Sequence, residues 1–448
     1  MKKLFAALAA LTLSVVLLAE DSNVPHFKLY GFVRNYAVID SREVNGGTHD
    51  LYYYMPKDQD LNSAGEDLNS GLNWKFISLT TRLGLDFSDY QFDDLKISGK
   101  VEADFYSLNG SESANTIAQF RLRQAYMALD RDLDDGTKLL VNIGQTWHPM
   151  GADLPHGICL ESGAPFGPFN RSPQVMAHWT RGKWTYTGGL LYLSQYLPMD
   201  AETAKKSVAP FKYGFPEIYA GIAYKSGPFV AKFGLDNTLT RPVRKEVNVN
   251  IADSDEYAKV KSLMEAVSVF AYLQYTKDLF QLKTKVTLAQ AGEHLNILSG
   301  YGIASENAPK HTIEYTPMED LTSFVSFQYG KKVQFLGMIG YMRQLGTTKD
   351  LMPTGISGTT PCIVNKTHLQ DGNLWLNTAA ATNIQQAFRL TPTVLWNMGK
   401  LQIGLEYDYT MAEFGNSDAT RNARGLYEAG NTHWIGNHRL LWMTKFNF

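Results

Sequence analysis

The most constraining feature of this sequence is a repeated alternation of apolar and polar residues with a period of two. From Leu95 to Phe105, every odd-numbered residue is apolar or glycine and every even-numbered residue is polar or charged. Segments 77–87 and 401–409 follow a similar alternation. A period of two is that of a β-strand with one apolar and one hydrated face. The 3.6-residue apolar period of an amphipathic helix is almost nowhere sustained in this sequence. The sequence therefore predicts an all-β fold.

The lengths of the connections distinguish two kinds of all-β fold. In a soluble sandwich the apolar faces pack against a second sheet, whereas in a transmembrane barrel they face lipid and the polar faces enclose water. Short turns here alternate with long polar loops, as outer-membrane barrels require of their periplasmic and extracellular rims. A sandwich has no reason to separate the two. The predicted turns are 88–94, 131–136, 181–183, 226–228, 277–279, 330–332 and 397–400, and the predicted loops are 41–73, 109–117, 149–171, 197–214, 242–261, 293–318, 346–382 and 415–435.

Counting the segments between these connections predicts about sixteen strands in an antiparallel up-and-down transmembrane β-barrel with long extracellular loops and short periplasmic turns. An even number suits such a barrel, and sixteen strands leave an aqueous channel. The strand near 27–40 then lies beside the strand near 437–448. Aromatic residues make up 12% of the chain, and several near strand ends suit the two membrane interfaces. These are Trp184, Tyr186, Tyr224, Tyr275 and Trp396.

The N-terminal segment has the pattern of a secretory signal peptide. Lys2 and Lys3 precede a largely apolar stretch from Leu4 to Leu18, which ends at the small residue Ala19. This stretch is shorter than the ~20 residues of a bilayer-spanning helix, which argues against a membrane anchor. We expect removal of residues 1–19, with residues 20–448 forming a single barrel domain.

The end of the sequence carries the most specific pattern. Leu440, Trp442, Phe446 and Phe448 share one strand face, and the chain stops on an aromatic residue. This ending resembles the C-terminal signature of outer-membrane proteins. With the segments FKLYGFVRNYAVID and DLYYYMPKDQDLNSAGEDLN, the chain resembles porin-like outer-membrane proteins of Bacteroidetes-type bacteria and is similar to the DcaP-like family. The resemblance implies a homotrimer of sixteen-stranded barrels in the outer membrane of a Gram-negative bacterium, surrounded by lipid and passing small hydrophilic solutes.

Basic residues predicted to point inward are the candidate pore-lining residues. Arg121 and Arg123 are two positions apart and so share a face. The full candidate set is Arg82, Lys100, Arg121, Arg123 and His178, with Arg389, Lys283 and Lys285 as weaker members. Such residues would form a basic wall that attracts anions. Alternatively, they simply pair with inward acids in a wet interior. The available partners are Asp86, Glu102, Asp104, Glu406 and Asp408.

The loop 149–171 is the candidate constriction loop, because the corresponding loop folds into the barrel in the trimeric porins that this chain resembles. It carries Asp153 and Glu161 among several glycines. An acidic loop opposite a basic wall would set a transverse field across the pore.

Other chemistry has weaker support in the sequence. No nucleophile motif accompanies the serines and histidines, so no catalytic site or cofactor is expected. His148, His156 and Asp153 fit solvated loop residues better than metal ligands. Cys159 and Cys362 fall in predicted surface loops, where a disulfide could form, although nothing fixes their distance. A net charge of −2 does not favour nucleic acid.

A porin for small hydrophilic solutes, anions among them, is thus the predicted function. A substrate-specific transporter, for example of dicarboxylates or peptides, is the alternative within transport. A surface barrel enzyme or adhesin is the alternative outside it.

Overall fold

Sixteen antiparallel strands form a closed β-barrel in the computed structural model of this chain. The structure describes residues 24–47, 51–106, 118–159, 163–201, 203, 205–247, 257–307, 310, 312–353, 374–376 and 383–448. The predicted signal peptide, residues 1–19, lies outside the described residues. The barrel strands are β1 His26–Arg42, β2 Ser70–Ile77 continued by Arg82–Phe92, β3 Leu95–Tyr106, β4 Gln119–Asp132, β5 Lys138–Trp147, β6 Arg171–Arg181, β7 Trp184–Leu191, β8 Glu217–Ser226, β9 Phe229–Thr240, β10 Met264–Lys277, β11 Phe280–Gln290, β12 Thr312–Gly330, β13 Val333–Thr347, β14 Ile384–Leu390 continued by Thr393–Met398, β15 Leu401–Gly415 and β16 Thr432–Asn447.

The barrel closes where β16 pairs with β1. Their register places Val33 opposite Phe446 and Asp40 opposite Arg439. Asp40 and Arg439 form a buried ion pair with an Oδ2–Nη2 distance of 2.8 Å. The backbone of Phe448 exchanges hydrogen bonds with Gly31, at 3.1 and 3.4 Å. The predicted all-β barrel, its strand number and the adjacency of its first and last strands are confirmed.

The connections are segregated as predicted. Each of the seven short turns holds two to five residues, whereas the alternate connections are long loops. The turn between β12 and β13 lies at 331–332, within the predicted turn 330–332. The strand β12 runs without a break through Pro317 to Gly330.

Smaller elements lie within the long loops. Among the described residues, no helix is long and apolar enough to cross a bilayer. The loop strands are Val44–Gly47, Tyr52–Pro56, Met199–Asp200, Lys205–Lys206, Lys245–Val247, Tyr257–Lys259, Gly300–Asn307 and Leu374–Leu376, and the helical turns are Pro149–Gly151, Ala209–Lys212 and Gly292–Leu295.

The two faces of the barrel have opposite polarity. On β16, Leu440, Trp442 and Phe446 are exposed on the outer surface, whereas Arg439 and Leu441 are fully buried inside. Phe120 and Leu122 likewise face outward and alternate with the inward residues Arg121 and Arg123 of β4. An apolar surface of this extent is unfavourable in water and favourable in hydrocarbon.

A charge placed on this outer surface should destabilise the barrel. Val101 lies in the middle of β3 and is 47% exposed. We expect Val101→Arg to lower the free energy of unfolding in lipid vesicles by about 2–4 kcal/mol, because the guanidinium would enter hydrocarbon. Ser98→Arg, on the inward face of the same strand, is the control and should cost much less. Urea titrations followed by tryptophan fluorescence measure both, and equal costs would contradict the assignment of the faces.

Candidate functional site

The described residues of the loop between β5 and β6 lie inside the barrel. Its described parts, 148–159 and 163–170, pack against inward side chains of the wall. Phe166 lies over Gly340 of β13, where a Cβ atom would come within 2.5 Å of its ring. Ile158 lies over Gly404 of β15, where a Cβ atom would come within 2.7 Å of Cδ1. These two glycines therefore allow the loop to approach the wall closely.

Hydrogen bonds hold the tip of this loop, residues 156–159, on β12 and β15 of the barrel wall. The amides of Ile158 and Cys159 donate to the Glu406 carboxylate of β15 at 2.7 and 2.9 Å. The amide of His156 donates to Ser326 Oγ of β12 at 2.9 Å. Burial lowers the pKa of His156 to about 4, so this imidazole is neutral at physiological pH. The tip is thus anchored by its backbone amides, which donate to acceptors on the barrel wall.

Arg389 belongs to this anchor and not to the pore surface. It points inward, as the strand parity predicts, but it is fully buried. Its guanidinium donates to the carbonyls of Ala164, at 3.2 Å, and Tyr54, at 2.8 Å. Strand parity predicts an inward side chain, but it does not reveal which loops will cover that side chain, so the predicted pore-lining position of Arg389 is wrong.

The first long loop also enters the barrel mouth, a placement that the strand and loop pattern of the sequence does not predict. Tyr53 and Met55, on the loop strand Tyr52–Pro56, are fully buried among wall and loop residues. The run from Leu51 to Met55 is unusually apolar for an otherwise polar loop, and this was the available signal.

Four of the predicted basic residues lie on β2, β3 and β4, and three of them share two carboxylates. Arg121 binds Asp104 with two hydrogen bonds of 3.0 Å. Arg123 bridges Asp104 at 2.7 Å and Glu102 at 2.9 Å. Arg82 reaches Glu102 at 3.5 Å. The fourth residue, Lys100, pairs separately with Asp86 at 3.2 Å.

A cavity of about 330 Å³ lies between these arginines and the tip of the loop. Arg82 and Arg123 line it together with Arg34 and Lys445, which the sequence analysis did not identify. Arg34 follows the outward residue Val33, and Lys445 precedes the outward residue Phe446. Strand parity alone therefore predicts that both side chains point inward. We call Arg34, Arg82, Arg121, Arg123 and Lys445 with Glu102 and Asp104 the basic cluster.

The basic cluster carries an excess of positive charge. Its five cations and two carboxylates leave a net charge of +3. Neither Arg34 nor Lys445 forms an ion pair with a described residue. The Arg34 guanidinium donates to Thr80 Oγ1 at 2.9 Å. The Lys445 ammonium lies 4.5 Å from the centre of the Phe32 ring. Pairing therefore neutralises only part of the charge on this wall.

The remaining predicted site residues lie elsewhere on the inner surface. Asp153 forms an ion pair with Lys232 of β9 at 2.7 Å, and Lys283 and Lys285 bind loop carbonyls next to it. His178 binds Thr187 Oγ1 at 3.0 Å, away from the cavity lining. The start of the loop thus packs against a second basic group of residues. Glu161 lies outside the described residues.

Cys159 is buried because its loop folds inward, which corrects the expected surface location. Burial raises the pKa of its thiol, so the thiolate is disfavoured. Cys362 lies outside the described residues, so the expected disulfide between Cys159 and Cys362 stays a prediction.

Comparison with known proteins supports the fold. No protein-family model and no curated protein matches the sequence. The outer membrane channel DcaP of Acinetobacter baumannii matches with a TM-score of 0.61 at 16% identity, over 95% of this chain and 97% of that chain. OmpT, an outer membrane protein of Vibrio cholerae, matches at 0.48 and 11% identity, over 96% and 99% of the two chains. The likeness to DcaP shows a shared barrel fold.

Proposed function

We propose that this protein is an outer-membrane porin of a Gram-negative bacterium, through which small hydrophilic solutes diffuse. The observation that carries the proposal is the polarity of the closed barrel, apolar outside and charged inside, with the described loop segments 148–159 and 163–170 folded into its lumen. A barrel of sixteen strands is wide enough for water and solutes. The inward loop would narrow that space to a constriction.

The charge of the constriction supports a preference for anions. The basic cluster has a net charge of +3 and contributes Arg34, Arg82, Arg123 and Lys445 to the cavity lining. The loop residues Leu154, Gly157 and Ile158, which also line the cavity, carry no charge. Positive charge in a narrow, low-dielectric passage raises the local concentration of anions. Asp153 contributes less than the sequence suggested, because Lys232 neutralises it.

The homotrimeric state and the Bacteroidetes-type affinity rest on the sequence resemblance and stay predictions. A band of about three times the monomer mass on a mild-detergent gel, lost on heating, is the expected sign of a trimer.

Ion selectivity in planar lipid bilayers tests the proposed function. Under a KCl gradient, the reversal potential of the reconstituted protein should have the sign of a chloride preference. A cation preference would contradict the role of the basic cluster. Absence of any conductance from correctly folded protein would contradict the porin itself and favour an adhesin or surface enzyme. Block by one solute class at low concentration would favour a substrate-specific transporter.

A further inference from the structure

Two histidines and two carboxylates meet at a point outside the pore cavity. His148 starts the loop that enters the barrel, Glu217 begins β8, Asp236 lies on β9, and His294 lies in the helical turn Gly292–Leu295. Their four donor atoms lie within 4.8 Å of one another. The four residues come from four separate segments, so the cluster is made by the fold and not by one local motif.

All four side chains are removed from water. Each residue is at most 2% exposed. Two carboxylates this close in a buried site repel each other unless a cation or a proton lies between them. The arrangement therefore requires some positive charge at its centre.

The described side chains only partly satisfy this cluster. His148 Nε2 contacts Glu217 Oε1, and His294 Nε2 lies 3.4 Å from Asp236 Oδ2 and 4.0 Å from Glu217 Oε1. Glu217 Oε2, Asp236 Oδ1 and His294 Nδ1 are buried without a hydrogen-bond partner among the described residues. Buried polar atoms are usually hydrogen-bonded, and those without a protein partner commonly bind an ordered water molecule or an ion.

We propose that His148, Glu217, Asp236 and His294 bind a divalent transition-metal ion of the zinc type. Two imidazoles and two carboxylates match the donors of Zn²⁺ sites, whereas Ca²⁺ and Mg²⁺ prefer oxygen donors alone. Tetrahedral bonds near 2 Å place the donors about 3.3 Å apart. The wider separations in the cluster, up to 4.8 Å, would shorten on binding, and the His148–Glu217 contact would lengthen. Because two of the four groups are carboxylates, the site repels anions and does not suit an anionic ligand.

One hydrogen bond would change on binding. The amide of Met150 donates to His148 Nδ1 at 3.1 Å, which places the ring proton on Nε2 in the metal-free protein. A metal on Nε2 requires that this proton leave, and then Nδ1 carries a proton and the contact with Met150 is lost. The competing arrangement is a metal-free network in which the carboxyl groups share protons with the imidazoles.

The position of the site gives the ion a structural role. It would join the start of the inward loop, through His148, to the barrel wall and to the neighbouring loop that carries His294. A metal ion there would stabilise the seated loop from its base, independently of the anchor at Glu406.

Metal content of the purified protein tests the proposal. The full barrel in detergent micelles would be stripped with a chelator, incubated with ZnCl₂, desalted and analysed by mass spectrometry for zinc. We expect one Zn²⁺ per chain, a higher midpoint of thermal unfolding with zinc than without, and little retention of Ca²⁺. The double variant Glu217→Gln, Asp236→Asn should lose the zinc and the thermal shift.

A matched control separates this site from adventitious binding. His433 Nε2 pairs with Asp58 Oδ1 at 2.7 Å in a partly exposed position, so His433→Asn removes an imidazole next to a carboxylate elsewhere. It should keep the zinc. Folding of each variant is checked by heat modifiability on gels. Wild-type protein that folds but retains no zinc, or retains as much as the double variant, would overturn the proposal and leave the proton-sharing network.

Discussion

Replacing Arg34 and Lys445 together by glutamate is expected to reverse the proposed anion preference of the channel to a cation preference. The two substitutions change the net charge of the basic cluster from +3 to −1, at the cavity beside the proposed constriction. Reversal potentials under a KCl gradient measure the change, and their sign should invert. Selectivity depends on charge at the passage and not on the exact side chain, so a full reversal is the expected result.

The choice of these two residues follows from their contacts. Neither forms an ion pair with a described residue, so their removal leaves no carboxylate without a partner. Arg123, in contrast, bridges Glu102 and Asp104, and replacing it by glutamate would bury three neighbouring carboxylates at a cost of about 3–5 kcal/mol or more. Loss of folding would then obscure any change in selectivity.

The charge-conserving double variant Arg34→Lys, Lys445→Arg is the control for the reversal. It should retain the anion preference with a similar conductance. An unchanged reversal potential in the glutamate variant, with barrels shown to be folded, would remove the basic cluster from the account of selectivity.

Removing the inward loop is expected to raise the single-channel conductance severalfold. The loop occupies the lumen through Ile158, Phe166 and Phe169, and its removal would return that cross-section to water. Its two ends already meet, because the amide of His148 donates to the Asn170 carbonyl at 3.0 Å. Replacing residues 153–167 by a short Gly-Ser linker should therefore leave the rim undistorted. Conductance steps in planar bilayers measure the effect.

The loop between β15 and β16 offers a matched deletion. Its ends are also joined, by the amide of Asn416 and the carbonyl of Asn431 at 2.9 Å. Replacing residues 418–429 by the same linker shortens a loop at the rim and should leave the conductance nearly unchanged. Equal conductance in the two deletion variants and the wild type would mean that the inward loop does not narrow the pore.

The barrel could be predicted from the sequence because its determinants are local. The alternation from Leu95 to Phe105 and the two-residue turn at 331–332 depend on near neighbours in the chain, and together they fix the number and direction of strands. The lipid-facing side of the last strand could be predicted from Leu440, Trp442 and Phe446, because residues two or four positions apart on a strand share a face.

The interior could not be predicted as fully, because it depends on distant segments. Parity placed Arg389 inside, but its burial is decided by Tyr54 and Ala164, which belong to two different loops. The pairing of Asp153 with Lys232 likewise depends on the path of a loop that carries no periodic pattern. Arg34 and Lys445 were within reach of parity, but their convergence at one cavity became apparent only when the first and last strands were paired.

That pairing also sets a condition on assembly. The buried bond between Asp40 and Arg439 joins positions 399 residues apart, so no enclosed lumen can exist while the second of them is still being synthesised. Until the ends meet, the sheet carries two unpaired edges and an apolar surface with no lipid to cover it, the conditions under which long-range β-structure folds slowly and aggregates. Delivery of this chain to its membrane must therefore keep it unfolded along the way, and the passage for solutes arises in one step, at closure.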